Sequence, residues 1–201
     1  MQILLTNPFP ILETHRLILR KLTPDDAGPM YRLRSSRDVM RLIDRPLCNS
    51  LEDAQTLVGT ILEAQNTGEA IMWAIALHDS PVMIGCIGYF RTQQEHSRTE
   101  VGYLLDPAYH RKGLMSEALN SVVDYGFGEM EFHKVMASVN ALNMASVCLL
   151  EKNGFIREAF FRQHYFWNGH YIDTMELARY SPAAISQMKK LETNPVLDVH
   201  E

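Results

Sequence analysis

Residues 100–116 read EVGYLLDPAYHRKGLMS, and the two halves of this stretch obey different periods. EVGYLL belongs to an extended run over Arg98–Leu105 that Asp106-Pro107 ends, because proline has no amide to give a sheet ladder. After Gly113, Leu114, Ala118 and Val122 form one row and Leu119 and Val123 the next, the spacing of a helix over 114–127. The first amides of a helix lack internal acceptors and sit at the positive end of its dipole. A glycine at that point lets main chain approach an anion, and Arg111 and Lys112 stand beside it, so the residues suit a phosphate or pyrophosphate. They equally suit a plain strand, turn and helix. No G-x-G-x-x-G or G-x-x-x-x-G-K-[ST] occurs here, so neither a dinucleotide fold nor a P-loop is supported.

Strand alternation puts Thr99, Val101, Tyr103 and Leu105 on one face and Glu100, Gly102 and Leu104 on the other. Gly102 predicts open space beside the Glu100 carboxylate; the alternative is an exposed Glu100 paired with a nearby arginine. Upstream, residues 16–22 (RLILRKL) read as a strand, Thr23-Pro24 as the start of a helix capped by Thr23, and Ser50 with Asp53 as the capping box of a second helix that Gly68 stops. Ile71–Leu77, residues 82–91 and Arg98–Leu105 form a three-stranded meander. Downstream come a strand over 134–139, a helix over 143–152 closed by Asn153-Gly154, and a hairpin of residues 155–166 and His170–Tyr180 around an Asn-Gly turn. The expected fold is α/β: a mixed, mostly antiparallel central sheet of about seven strands, flanked by helices on both faces. Residues 1–180 are expected to make a single domain, and 181–201 a weakly helical tail that frays after Pro195.

Composition sets wide limits. The chain has 201 residues, 46% hydrophobic and 21% charged, which excludes collagen, a disordered tail and a disulfide miniprotein. The 19 Lys and Arg against 24 Asp and Glu give a net charge of −5, so no nucleic-acid partner is expected. On steering grounds this acidic balance modestly favours a cationic ligand. Cys48, Cys86 and Cys148 are too few and too scattered for a disulfide framework and read as small buried hydrophobes of a cytoplasmic protein. The eight histidines show no metal-ligand spacing, the N-terminus has no signal-peptide pattern, and no apolar run is long enough to anchor the chain in a membrane.

DPAYHRKGLMSEAL, followed by FHKVMASVNALNMASVCLLEKNGF, resembles the GNAT superfamily of N-acetyltransferases. The opening THRLILRKLTPDD and the closing NGHYIDTMELARY resemble its branch of ribosomal-protein-alanine N-acetyltransferases (RimJ/RimL-like), so the likeness spans residues 12–180. It implies transfer of an acetyl group from acetyl-CoA, a co-substrate, to a primary amine by direct attack with general-base help, without a metal. In that family a Q/R-x-x-G-x-G/A loop cradles the pyrophosphate; here it is His110-Arg111-Lys112-Gly113-Leu114-Met115, whose His110 and Met115 depart from the pattern. The cofactor is thereby expected at Arg111, Lys112, Gly113, Leu114, Met115 and Ser116, and its pantetheine arm along Tyr103, Leu104 and Leu105, with Asn143 from the family's N-x-x-[AS] motif.

The resemblance places a base at Glu100 and, because the family's tyrosine seven positions after the motif asparagine is Leu150 here, a thiolate acid at Ser146. An alkyl amine must lose its proton before it attacks, and the oxyanion and departing thiolate need donors. The thioester oxygen is assigned a main-chain amide near Tyr103 or Leu104. The branch also uses a glutamate on the strand before the final turn, where this chain has Tyr165 beside His164, so a second base position is open. The acceptor is a protein N-terminus or a small amine (polyamine, aminoglycoside or amino acid), and a non-catalytic acyl-CoA-binding module is the other class. The 42–49 loop and the aromatics of FFRQHYFWNGHY are the expected walls of the acceptor pocket, and the chain is expected to be a monomer or homodimer.

Overall fold

A computed structural model describes residues 7–193. One eight-stranded sheet runs through the molecule in the order β1-β2-β3-β4-β5-β6-β8-β7. Its strands are β1 (Leu12–Glu13), β2 (Leu17–Lys21), β3 (Ile71–Leu77), β4 (Ser80–Gln93), β5 (Arg98–Leu105), β6 (Lys134–Asn140), β7 (Ile156–Trp167) and β8 (His170–Tyr180). All neighbours pair antiparallel except β5 and β6, which are parallel. The eighth strand beyond the expected seven is β1, two residues too short to show a period.

Helices cover both faces, as the alternation within β5 requires. On one side α1 (Ala27–Ser35) and α3 (Leu51–Thr67) bury Met30, Leu33, Ala54 and Val58 against Ala74, Met83 and Leu104. On the other side α4 (Leu114–Gly128) and α5 (Met144–Lys152) bury Leu114, Ala118, Val122, Val147 and Leu150 against Val101, Leu105, Val135 and Leu177. A short α2 (Arg37–Met40), which the sequence pattern did not show, follows α1.

The capping box opens α3 as expected, with Asp53 N–H donating to Ser50 Oγ at 3.2 Å, and Gly68 closes it at φ 73°. Thr23 is the cap, as expected, but of a 3₁₀ turn over Pro24–Asp26 that leads into α1, in a box with Asp26, whose buried carboxylate takes the Thr23 N–H at 2.9 Å and both Arg20 Nη atoms at 2.8 Å. After β8, α6 (Pro182–Thr193) buries Ala184, and Ser181 N–H donates to His133 O at 3.0 Å; Pro195 lies outside the described residues. Cys48 and Cys86 are buried, whereas Cys148 is exposed. Among the described residues no helix is long and apolar enough to cross a membrane.

Candidate active site

The sheet splits between its two parallel strands. β5 pairs with β6 only at Arg98–Lys134, Thr99–Val135 and Glu100–Met136, whereas β6 goes on pairing with β8 as far as Asn140–Thr174. Beyond Glu100 the facing edges of β5 and β6 are therefore without each other. Asp106 N–H donates to Ile84 O on β4 at 2.8 Å, and antiparallel ladders alternate, so the main-chain groups of residues 100, 102 and 104 face β4. Those of Tyr103 and Leu105 face the gap. The Leu104 amide is thus turned away from the opening and its side chain is buried among α1 and α3, which leaves Tyr103 as the free amide nearest the apex.

At the open end of the gap lies the start of α4. His110 Nε2 sits 3.0 Å from Leu105 O and fastens the loop to β5. Arg111 at φ 59° and Gly113 at φ 76° then curl the backbone through the left-handed region. A curl of this kind points successive amides to one side. The first intrahelical bond runs from Glu117 N–H to Gly113 O at 3.1 Å, so the amides of Leu114, Met115 and Ser116 precede the helical ladder. The side chains of Leu114 and Met115 are buried in the core, and the Ser116 hydroxyl donates to Asn153 Oδ1 at 2.6 Å, so these three residues offer main chain.

One part of this cradle escaped sequence reading. Arg16 Nη1 donates to Lys112 O at 2.8 Å, Arg16 Nε to Glu117 Oε2 at 2.7 Å, and Thr14 Oγ1 to Glu117 Oε1 at 2.6 Å. These bonds tie the turn before β2 to both sides of Gly113. Acceptance of these bonds and the Arg16 charge, opposing the raising effect of burial, hold the Glu117 carboxyl below its ordinary value.

Glu100 stands at the apex, on the face covered by α1 and α3. It is 9% exposed and accepts from Arg91 Nη1 at 3.0 Å. Burial raises its pKa, against the lowering charge and hydrogen bond of Arg91 and the lowering charge of Arg45, with Glu176 adding to the rise. The expected open space is absent: a Cβ on Gly102 would lie 2.6 Å from Phe90 Cε1, so the glycine admits the Phe90 ring. Glu100 is therefore a buried carboxylate with one partly solvated arginine, rather than the exposed pair of the alternative reading.

On the opposite face, Tyr103 Oη lies 2.7 Å from Ser146 Oγ, and burial pushes the Tyr103 hydroxyl up to about 12. Ser146 is in the first turn of α5, where its N–H donates to the Asn143 side-chain oxygen at 3.2 Å, so Asn143 acts as a helix cap. Leu150 is fully buried. The structure therefore brings Tyr103, Asn143 and Ser146 together beside the gap, with Glu100 at its apex and Arg111 to Ser116 at its mouth.

A cavity of about 570 Å³ lies farther along the sheet; Glu100 does not line it, but Asn140 does, and Asn140 shares the sheet face of Met136, the β6 partner of Glu100. The cavity lining draws on α2 and the loop after it (Arg41, Leu42, Asp44, Leu47), the end of β6 (Asn140) and the β7–β8 hairpin (Trp167, Tyr171). The two expected walls do enclose one space, although Phe160, Phe161 and Phe166 stay exposed on the edge strand and take no part. Tyr165 hydroxyl donates to Asp44 Oδ2 in a short hydrogen bond, and Asn140 Nδ2 reaches both Asp44 oxygens at 3.4 Å. Asp44 was not singled out in the sequence, since nothing local marks it; its partners are 96 and 121 positions away.

Residues 16–156 match the family described as the acetyltransferase (GNAT) domain. The chain is 37% identical over 166 residues to the uncharacterized N-acetyltransferase YoaA of Bacillus subtilis, covering 83% of this chain and 94% of that protein. It is 24% identical over 162 residues to the spermidine N(1)-acetyltransferase of Vibrio cholerae, covering 81% and 91%. The structure of RimL, a ribosomal L7/L12 alpha-N-protein acetyltransferase in complex with coenzyme A, superposes with a TM-score of 0.78 over 87% of this chain and 99% of that one, at 21% identity. The family match over most of the chain, on a sheet split beside an uncapped helix start, settles the family: the chain belongs to the GNAT acetyltransferases and is an N-acetyltransferase of that type.

Proposed function

We propose that the protein transfers the acetyl group of acetyl-CoA to a primary amine, using Glu100 as base, the Tyr103 amide as oxyanion donor and Ser146 as acid. The observation that carries this reading is the gap past Glu100, which joins an edge of free main-chain groups to the uncapped start of α4. The fit to a pyrophosphate is physical. The Leu114, Met115 and Ser116 amides supply donors, the dipole of a 15-residue helix supplies positive potential, and Arg111 and Lys112 add charge. An extended pantetheine suits the free edge of β5 in the way a peptide strand adds to a sheet. When bound, acetyl-CoA supplies the activated acyl carbon.

The chain's own residues do the rest. A buried carboxylate with a raised pKa takes a proton from an ammonium more readily than an ordinary surface glutamate, directly or through a water, and Glu100 has that character. The Tyr103 N–H faces the gap and donates where an oxyanion develops. Ser146 gives its proton to the departing sulfur while the Tyr103 hydroxyl, which stays protonated well past neutrality, donates a hydrogen bond to Ser146 Oγ, and solvent returns the proton that Ser146 has lost. Direct attack by the amine needs no protein nucleophile, so the exposed Cys148 is assigned no part as an acyl carrier. The acceptor amine enters from the cavity on the Glu100 face.

The test is purified protein with acetyl-CoA and a panel of amines, following free thiol and acetylated product. Thiol release matched by acetylated amine is the expected result. Release with no acceptor acetylated, or a protein whose melting is not shifted by millimolar coenzyme A, overturns it in favour of a binding module or of no acyl-CoA role.

A further inference from the structure

We infer that the acceptor carries a carboxylate close to the amine that receives the acetyl group, and that Arg37, Arg41 and Arg45 bind it. This rests on the acetyl-transfer reading and names the acceptor's class. The lining of the 570 Å³ cavity contains these three guanidiniums against two carboxylates, Asp44 and Asp173. Both acids are already hydrogen-bonded within the protein. Asp44 accepts from Tyr165 and Asn140, and Asp173 accepts the Gln163 N–H at 2.7 Å. Those donors are neutral, so both acids keep their charge, and the three guanidiniums exceed them by one. Among the described residues none of the three forms an ion pair with a carboxylate, whereas Arg16, Arg20, Arg91, Arg157 and Arg179 all do. The Arg45 head group donates to Asp44 O at 2.9 Å, a main-chain acceptor.

Their spacing makes the mismatch costly. Arg37 opens α2 and Arg41 follows its end with helical dihedrals, φ −53° and ψ −36°, so the two lie four positions apart on one side of a single turn. Like charges so placed repel, and an anion between them removes the repulsion. Of the three arginines, Arg45 is near enough to Glu100 to lower its pKa, and Glu176, on the Glu100 face of β8, acts on the same carboxyl in the opposite sense. The lining therefore carries three guanidiniums against two carboxylates, a net positive charge on the approach to the base that the amine must meet. An amino-carboxylate fits that arrangement. A polyamine would bring further positive charge to the arginines, so the local field opposes the cationic acceptor that net charge suggests. A free amino acid and an acidic peptide N-terminus share this chemistry.

Coenzyme A release is followed at saturating acetyl-CoA with spermidine, a free amino acid, its amide, and two short peptides differing only in Glu or Lys at the second position. The expected result is kcat/KM about fivefold or more higher for the amino acid than its amide, or for the Glu than the Lys peptide, the scale of one exposed ion pair. The first outcome assigns a small amino-carboxylate and the second an acidic peptide. Arg37→Gln with Arg41→Gln is expected to erase the preference through KM, with kcat within about twofold, and about 0.5 M salt to weaken it in the unaltered protein. Spermidine or the Lys peptide used as well or better, or a preference unchanged in the double variant, overturns the inference alone. Acetylation of no amine, with coenzyme A still shifting the melt, overturns the acetyl-transfer reading and this inference with it.

Discussion

Glu100→Gln separates a working carboxylate from a structural one, because the two roles predict opposite changes in stability. The side chain is 9% exposed and its ion pair, with Arg91, is to a guanidinium whose own side chain is 62% exposed. An ion pair of that kind contributes about 0–1 kcal/mol. Burial is the largest influence on Glu100 and raises its pKa. A carboxyl whose folded pKa lies above its unfolded value adds stability below the unfolded pKa and loses it as the pH rises through the folded one. At pH 7 the ionised Glu100 therefore costs the fold, and glutamine removes that cost while keeping the shape. We expect a melting temperature at pH 7 no lower than that of the parent. Loss of a general base lowers kcat/KM by about 10²–10⁴, and because Glu100 is remote from the helix start, coenzyme A affinity should stay within about twofold. The pH profile carries the sign: the parent loses activity toward acid with a midpoint above the ordinary glutamate value, as Glu100 takes up its proton, and the variant lacks that limb. A variant with parental kcat/KM from pH 5 to 9 refutes the base assignment, and a melting temperature lowered by several degrees refutes the account of its burial.

Two further substitutions test the other ends of the gap. Gly113→Asp places a side chain at φ 76°, with its Cβ 3.4 Å from Arg16 Nη2, and a negative charge beside the free amides. Left-handed strain of about 1–2 kcal/mol and anion repulsion together predict a melting point lower by several degrees and coenzyme A affinity lower by about tenfold or more. Calorimetry that finds unchanged affinity removes the cradle. Ser146→Ala and Tyr103→Phe are each expected to lower kcat about tenfold, and the double variant no more than Ser146→Ala, since Tyr103 acts through the 2.7 Å contact with Ser146. Additive losses would mean that the two hydroxyls work separately.

Local pattern was enough for most of the fold. Ile71–Leu77 and Arg98–Leu105 have the predicted bounds, and the α3 caps sit on Ser50 and Gly68, because period, capping chemistry and turn glycines act over a few residues. The misses have the opposite character. β1 is two residues long, α2 is one turn, and the turn that Thr23 caps is a 3₁₀ entry to α1, fixed by Arg20 of β2 on the Asp26 carboxylate. Gly102 shows the same limit. A glycine in a strand announces a close approach without saying what approaches, and here it is Phe90 from β4.

The two halves of the candidate site differ for that reason too. The cradle is a contiguous piece of chain, residues 103–116 with Asn143 and Ser146 added, so its motif survives in one dimension; only the Arg16 clamp, 101 positions from Glu117, was hidden. The acceptor side has no motif because it has no contiguous piece. Asp44 meets Asn140 and Tyr165 across 96 and 121 positions, and the electrostatic character of the cavity depends on which charges find partners elsewhere. Counting charges over the whole chain gives −5 and suggests a cationic acceptor. Counting only the charges that line the cavity, Arg37, Arg41 and Arg45 against Asp44 and Asp173, gives +1, the opposite sign. A ligand responds to the local field, which falls off over about 8–10 Å in salt, so the arginines of α2 and its following loop outweigh acidic residues spread over the rest of the surface.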